Sequence, residues 1–215
     1  MTAKADLKKE LDCYRATRDR PRLLTVPDLQ YLMIDGAGDP NTEAFAEAIT
    51  TLYPLAYAVK FLSKVELQRD YVVMPLEGLW WSDDMATFTS ARDKSRWQWT
   101  LAVMTPEWIT GEHVAAALER VAAKKAPARL GDVRLENLSE GRCVQALHVG
   151  SFDDEAELLR RMHDEYIPGH GLTLTGKHHE IYLSDFRRVE PARCRTILRQ
   201  PVRTDPGDDE AGRIP

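Results

Sequence analysis

The sequence predicts an α+β fold, because the order strand–helix–strand–strand occurs twice along its 215 residues. Each copy opens with a short apolar strand that stops at a glycine and is followed by an aspartate in a helix-capping position. These pairs are Gly36 with Asp39 and Gly150 with Asp153. Each copy then carries an apolar stripe at helical spacing and two further strand-like segments. We therefore expect two similar units, each with an antiparallel sheet and a helix.

The first copy contains a strand over residues 31–34 and an amphipathic helix whose apolar stripe covers 45–59. Pro54 lies inside that stripe and predicts a kink or a break, because proline removes a helical hydrogen bond. Strands are predicted over 71–74, ending near a proline, and over 97–104, where apolar and polar residues alternate.

The second copy follows a linking helix whose apolar face covers 114–121. It begins with a strand over 143–149 and continues with a helix over 156–166 that ends at a Pro-Gly pair. Two last strands are predicted over 178–183 and 196–200. The two copies resemble each other in the order of their elements rather than residue by residue.

The domain organisation follows from these elements. Residues 1–27 are predicted to be an N-terminal extension with a short helix and a linker, and 28–202 to form one domain. Its two pseudo-repeats cover about 28–108 and 130–202, joined by the linking helix. The tail over 203–215 has an acidic run and no apolar periodicity, so we expect it to be disordered.

The composition narrows the functional classes. Hydrophobic residues make up 43% and the net charge is −5, so a globular core is expected and a nucleic-acid partner is not. No apolar stretch reaches the roughly 20 residues that a membrane span needs. The three cysteines are far apart, and no signal peptide, cofactor motif or metal-ligand spacing occurs. We expect a cytoplasmic protein with no cofactor, no metal and no membrane partner.

Three segments resemble a known family. Residues 32–41 (LMIDGAGDPN) are similar to the opening signature of stand-alone GyrI-like, or gyrase-inhibitor-like, proteins. Residues 70–81 (DYVVMPLEGLWW) resemble their longer second signature, and 179–185 (HEIYLSD) resemble their late Glu-x-Tyr-Leu motif. The resemblance covers roughly residues 5–202.

The resemblance implies tandem strand–helix–strand–strand (SHS2) units with pseudo-two-fold symmetry. It further implies helices packed on one side of antiparallel sheets and a ligand cleft between the units. Some relatives carry a DNA-binding domain and sense drugs, others bind drugs alone, and a subset hydrolyses cyclopropane-bearing natural products. Residues 1–27 are too short for a DNA-binding domain, so direct transcriptional control is not expected.

The late strand carries the first candidate site. Alternation places His178, Glu180 and Tyr182 on one side and Ile181 with Leu183 on the other. We expect the apolar pair to face the helices and the core, which leaves Glu180 and Tyr182 as candidate catalytic residues facing the cleft. A solvated outer sheet face is the alternative. His178 is a candidate ligand contact.

Aromatic residues supply the second candidate set, since all five tryptophans lie between positions 80 and 108. Trp80 and Trp81 follow Gly78 outside a predicted strand, so at least one is expected to line the pocket, whereas Trp97 and Trp99 share one face and favour the core. The further candidate ligand-binding residues, for each of which a structural role stays open, are Glu77, His148, Trp108 and Tyr71.

Three functions remain in competition. The first is a module that binds flat aromatic, cationic compounds through the tryptophans and an acid. The second is a hydrolase of reactive electrophiles, with Glu180 as general base and Tyr182 hydrogen-bonding a carbonyl oxygen. The third is a protein that binds a partner such as gyrase, for which the sequence singles out no interface.

Overall fold

The computed structural model describes residues 4–84, 93–125 and 127–204. The chain forms two compact units. The first unit comprises the chain up to Asp12 together with Asp28–Leu138, and the second comprises Cys13–Pro27 together with the chain from Ser139 onward. The linking helix thus belongs to the first unit.

Nine strands occur in the described residues, all paired antiparallel. In chain order they are β1 (Arg22–Val26), β2 (Leu29–Ala37), β3 (Leu76–Trp81), β4 (Gln98–Thr105), β5 (Arg134–Leu138), β6 (Gly141–Val149), β7 (Leu172–Leu174), β8 (His178–Tyr182) and β9 (Arg195–Thr204).

The helices differ widely in length, and one contains a π-helical segment. They are α1 (Leu7–Glu10), α2 (Glu43–Glu66), α3 (Gly111–Lys125), α4 (Ala156–Arg160), which runs on through the π-helical residues Arg161–Tyr166, and α5 (Ile167–Gly169). The predicted α+β class with antiparallel sheets and packed helices is confirmed. No helix in the described ranges is both long and apolar enough to cross a bilayer.

The sheet of the first unit has the strand order β3–β4–β2–β5. Trp99 on β4 lies opposite Trp80 on β3 and opposite Gly36 on β2. Phe45 of α2 stacks on Trp80 and meets the Trp99 ring edge-on, at centroid distances of 5.8 and 5.0 Å. These rings mark the face on which α2 packs. Gly36 is needed there, because a Cβ atom would lie 2.0 Å from the Trp99 ring.

The sheet of the second unit has the order β1–β6–β9–β8, with β7 pairing the end of β9. Its core joins β6 and β9 to the helical segment from α4 to α5, and each buried aliphatic side chain contributes roughly 1.5–3 kcal/mol. The core residues are Val144, Ala146, Leu158, Met162, Ile167, Leu172, Leu198 and Val202.

Two strands differ from the sequence prediction. The strand expected over 71–74 is wrong: Tyr71 makes a single bridge to Ala5, and the strand forms after Pro75, over Leu76–Trp81. Trp80 and Trp81 therefore lie inside a regular strand. The linker expected before residue 28 contains β1, whose apolar residues pair with β6.

The ends of the helices also differ. Helix α2 runs unbroken through Pro54 and has Thr42 as its N-cap, while Asp39 accepts a hydrogen bond from Asn41 in the preceding turn. In the second unit Ser151, rather than Asp153, caps the turn in a reciprocal bond with Asp154. Both aspartates precede a helix as predicted, but the hydroxyl residues nearby occupy the capping positions.

The predicted tail falls mostly beyond the described residues, since 205–215 lie outside them. Arg203 and Thr204, which were included in that tail, are instead the last residues of β9.

Candidate functional site

The alternation predicted for β8 is present, but the assignment of its faces is wrong. Glu180 lies opposite Leu198, and Tyr182 lies opposite Thr196 on β9. Opposed residues of an antiparallel pair share a face. Because Leu198 packs in the core with Leu158 of α4, Glu180 and Tyr182 lie on the helix-covered face rather than on the opposite one. Ile181 lies on the face away from the helix, and it is also fully buried.

Glu180 and Tyr182 contact each other directly. The Tyr182 hydroxyl donates a hydrogen bond to Oε2 of Glu180 at 2.8 Å. The Glu180 side chain is 15% exposed, and Tyr182 is buried at 6%. A hydrogen bond to an ionised carboxylate is stronger than one between neutral groups. The pair is thus a largely buried acid that a phenol holds in one orientation.

Two aromatic rings pack against this pair. Phe152 and Phe186 each pack edge-on against Tyr182, at centroid distances of 5.8 and 5.3 Å, and against each other at 5.5 Å. Phe152 remains 43% exposed although it touches two rings. The cluster therefore offers an accessible aromatic surface beside the acid.

Glu155 is a second acid at this site, and the sequence analysis missed it. It is 4% exposed, and its Oε1 has no hydrogen-bond partner among the described residues. Burial, with the negative charges of Glu180 and Asp153, raises the pKa of Glu155 from 4.5 to about 10. Glu155 is therefore protonated at neutral pH. It stands in an acidic run, Asp153–Asp154–Glu155, which in the sequence is indistinguishable from a solvated turn.

The two histidine candidates have different surroundings. His148 is buried, and its Nε2 lies 2.9 Å from the carbonyl oxygen of Ser151, so its ring holds the turn before α4. A Cβ at Gly150 would lie 2.9 Å from that nitrogen, which accounts for the glycine. His178 lies beside the acid, with Nε2 at 3.6 Å from Oε1 of Glu180.

The candidates on β3 divide between the two faces of the first sheet. Trp80 is buried against Phe45 and lies edge-on to Trp97, on the face that carries α2. Glu77 and Trp81 point the other way by alternation. Glu77 is fully buried on a strand, while Trp81 is partly buried.

Trp108 and Tyr71 lie together near the end of α2. The Trp108 indole nitrogen donates to the Ser63 hydroxyl at 3.1 Å, and the Arg69 guanidinium lies 3.7 Å from the ring centroid. Tyr71 meets the same ring edge-on at 6.1 Å. These contacts are structural. Ligand contacts for Trp108, Tyr71 and the β3 candidates stay predictions.

No cluster of three metal-ligating side chains occurs in the part of the chain that the structure describes. The second unit brings together the carboxyl groups of Glu180 and Glu155, the Tyr182 phenol and the neighbouring imidazoles.

Comparison with known proteins shows the family of this chain. The profile of the GyrI-like small molecule binding domain matches residues 20–202. The chain belongs to this family. Three solved structures from Listeria innocua are similar to nearly the whole chain. An uncharacterized conserved protein is 38% identical, with a TM-score of 0.85 over 93% of this chain and 100% of its own.

Two further Listeria innocua proteins are described as hydrolases. One is 37% identical with a TM-score of 0.82, over 94% of this chain and 100% of its own. The other is 38% identical with a TM-score of 0.81, over 93% and 100%. No curated protein matches this chain in sequence.

Proposed function

We propose that the chain binds flat aromatic compounds, cationic ones above all, at the carboxylate site of its second unit. The observation that carries the proposal is the largely buried Glu180 carboxylate, held by Tyr182 beside a buried acid, Glu155. The family assignment supports a small-molecule ligand. The aromatic and cationic preferences are inferred from the side chains.

The preference for a cation follows from electrostatics. Two carboxyl groups share a poorly solvated region, and Glu155 stays protonated because burial and the charge of Glu180 oppose its ionisation. A ligand cation at this position offsets that repulsion, and a charge interaction is stronger there than in water. An anionic ligand of the same shape meets the charge of Glu180 and is disfavoured.

The preference for a flat ring follows from the aromatic cluster. Phe152 is accessible and already packs against Tyr182 and Phe186. Aromatic pairs contribute about 0.5–1.5 kcal/mol beyond the area they bury. A planar ligand that covers Phe152 extends this packing and brings its charged atom toward Glu180.

The test compares two probes with the same ring system, of which only one carries an N-ethyl group and a positive charge. Ethidium is a flat aromatic cation, and 3,8-diamino-6-phenylphenanthridine is its uncharged counterpart. We expect fluorescence titration to give at least tenfold tighter binding of ethidium, and we expect Glu180→Gln to remove that preference. Glu190→Gln, at an exposed carboxylate of the same unit, serves as the matched control. Equal binding of both probes to the unaltered protein contradicts the proposal.

A second function, hydrolysis of a strained electrophile, has its own supporting observation. Glu155 is protonated beside Glu180, so one acid and one base are available together. Two relatives over 35% identical are described as hydrolases. In such a reaction Glu180 takes a proton from water and the hydroxide oxygen bonds to a cyclopropane carbon. The ring bond breaks toward a conjugated carbonyl, whose oxygen takes a proton from Glu155.

Mass spectrometry of mixtures with a cyclopropane-bearing alkylator tests this function. The product expected is heavier than the substrate by one water. Glu180→Gln and Glu155→Gln should each abolish its formation, because each variant lacks one of the two proton carriers. Turnover that persists in both variants excludes the assignment. If the unaltered protein binds the compound without forming product, the binding function alone remains.

A further inference from the structure

Two histidines beside the carboxylate site have buried ring nitrogens that lack partners. Nδ1 and Nε2 of His178 and Nε2 of His163 are inaccessible to solvent, and none has a hydrogen-bond partner in the described residues. The two rings lie edge-to-face with centroids 6.1 Å apart, an arrangement in which neither bonds to the other. Buried polar atoms are nearly always paired, so three together require an explanation.

The chain places these rings from two different elements. His178 is the first residue of β8 and shares a face with Glu180. His163 lies on the π-helical segment Arg161–Tyr166, which interrupts the helix that covers this face. Single π-helical turns inside α-helices occur often at functional sites. The widened turn thus sets an imidazole over the start of the strand that carries the acid.

His178 and Glu180 do not satisfy each other's hydrogen-bonding groups. Nε2 of His178 and Oε1 of Glu180 are 3.6 Å apart, beyond the usual hydrogen-bond length. Glu155 adds a third polar group without a partner on Oε1.

The charge state of His163 selects the kind of group that its ring can bind. Burial, with the nearby His178, lowers the pKa of His163 to about 4, so its ring is neutral at pH 7. A neutral imidazole offers one donor and one acceptor. A neutral His163 ring, with the Glu180 carboxyl group next to His178, does not suit a phosphate or carboxylate. It suits an uncharged oxygen or nitrogen, such as a phenol, amide or amine.

We propose that His163 and His178 form a polar subsite that hydrogen-bonds an uncharged polar substituent of the ligand, and that His163 determines this specificity. The inference rests on the proposed binding function and deepens it. The ligand class becomes a flat aromatic compound with a charged atom for the acid and a neutral polar group for the imidazoles.

The test adds a third probe. Ethidium carries two ring amines, and 5-ethyl-6-phenylphenanthridinium has the same rings and charge without them. We expect the unaltered protein to bind ethidium about tenfold more tightly, since a site built for a polar group disfavours the analogue that lacks it. His163→Phe should bind both cations with the same affinity. His163→Gln, which keeps a donor and an acceptor, should restore part of the difference.

Stability measurements separate this role from a structural one. His163→Phe replaces a nitrogen that has no partner by carbon, so its Tm should not fall. The proposal is overturned if the unaltered protein does not prefer ethidium over the amine-free cation, or if His163→Phe weakens both cations to the same extent. If the unaltered protein binds neither cation more tightly than the neutral diamine, that result instead rejects the proposed binding function itself.

Discussion

Tyr182 donates its hydroxyl to the carboxylate of Glu180 at 2.8 Å, two residues away on the same strand. The two-residue period of a β-strand puts both side chains on one face, so the contact is built into the local sequence. The helix that packs on this face buries the pair, so the acid and the phenol are poorly solvated.

The first prediction concerns this hydrogen bond. Tyr182→Phe removes the donor and leaves Glu180 with one fewer partner. Hydrogen bonds to charged groups contribute about 1.5–3 kcal/mol, so we expect the free energy of unfolding to fall by that amount in urea titrations. Tyr57→Phe, at a half-exposed tyrosine of α2, should change it by less than about 0.5 kcal/mol. If the two variants lower the free energy of unfolding by the same amount, that result argues against a buried hydrogen bond between Tyr182 and Glu180.

The second prediction concerns the pH dependence caused by Glu155. Its pKa is raised from 4.5 to about 10, so the folded state holds a proton that the unfolded state releases. This contribution to stability is complete below pH 4.5 and is lost as pH rises toward 10. Glu155→Gln removes the titration, so its unfolding free energy should fall less than that of the unaltered protein between pH 5 and pH 9, by at least about 1.4 kcal/mol.

Urea titrations across that range check the Glu155 prediction. Parallel pH profiles of the two proteins contradict it. Glu157→Gln, at an exposed carboxylate in the first turn of α4, controls for the general effect of removing one negative charge.

The third prediction concerns a buried ion pair on the other face of the same sheet. Arg199 donates to Glu140 at 2.8 Å, and His179 lies 2.9 Å from the same carboxylate; their side chains are at most 3% exposed. Glu140→Gln leaves the Arg199 charge without its anion. Removing one partner of a buried pair costs about 3–5 kcal/mol, so we expect a large loss of unfolding free energy at pH 7.

Measuring the free energy of unfolding as the pH is lowered gives the sign of the contribution that Glu140 makes to stability. Burial alone raises its pKa, but His179 and Arg199 outweigh burial and hold it at about 2. The stabilisation is therefore complete above pH 4.5 and is lost as pH falls from there toward 2. Glu140→Gln should lack this acid-dependent loss, and Glu136→Gln, at an exposed glutamate of β5, should retain it. An unchanged acid profile in Glu140→Gln is the contrary result.

The fourth prediction concerns the contact between Gly36 and Trp99. A Cβ at position 36 would lie 2.0 Å from the indole, so Gly36→Ala forces the ring or the strand to move. Overpacking of this kind costs about 1–3 kcal/mol. Gly111→Ala, where a Cβ meets no atom within 4 Å, is the control and should not destabilise. If Gly36→Ala is neutral, the ring does not lie over the glycine.

The sequence predicted the order of the helices and of most strands. It also predicted which residues share one face of a strand. The apolar stripes and glycines placed the helices and most strands, and alternation brought His178, Glu180 and Tyr182 together. The alternation could not indicate which face of β8 the helix covers. Both faces of β8 are buried, and on the far face the burial involves His179 and the Arg199–Glu140 pair, which have no apolar pattern.

The burial of Glu155 could not be predicted from the sequence for a different reason. Its burial depends on the turn over Phe152–Asp154, where Ser151 and Asp154 cap each other. That reciprocal cap fixes which acid of the run faces solvent and which faces the core. A list of three consecutive acids contains no signal for this choice. The buried Nε2 of His163 likewise depends on a π-helical turn that no residue pattern marks.

The most direct test of the central claim is a crystal structure of the protein with bound ethidium. We expect the dye to lie on Phe152 or Tyr182, with its charged nitrogen within about 6 Å of the Glu180 carboxylate, a range in which an opposite charge acts strongly. A dye bound elsewhere, with Glu180 and Tyr182 still hydrogen-bonded to each other and touching no ligand, would contradict it.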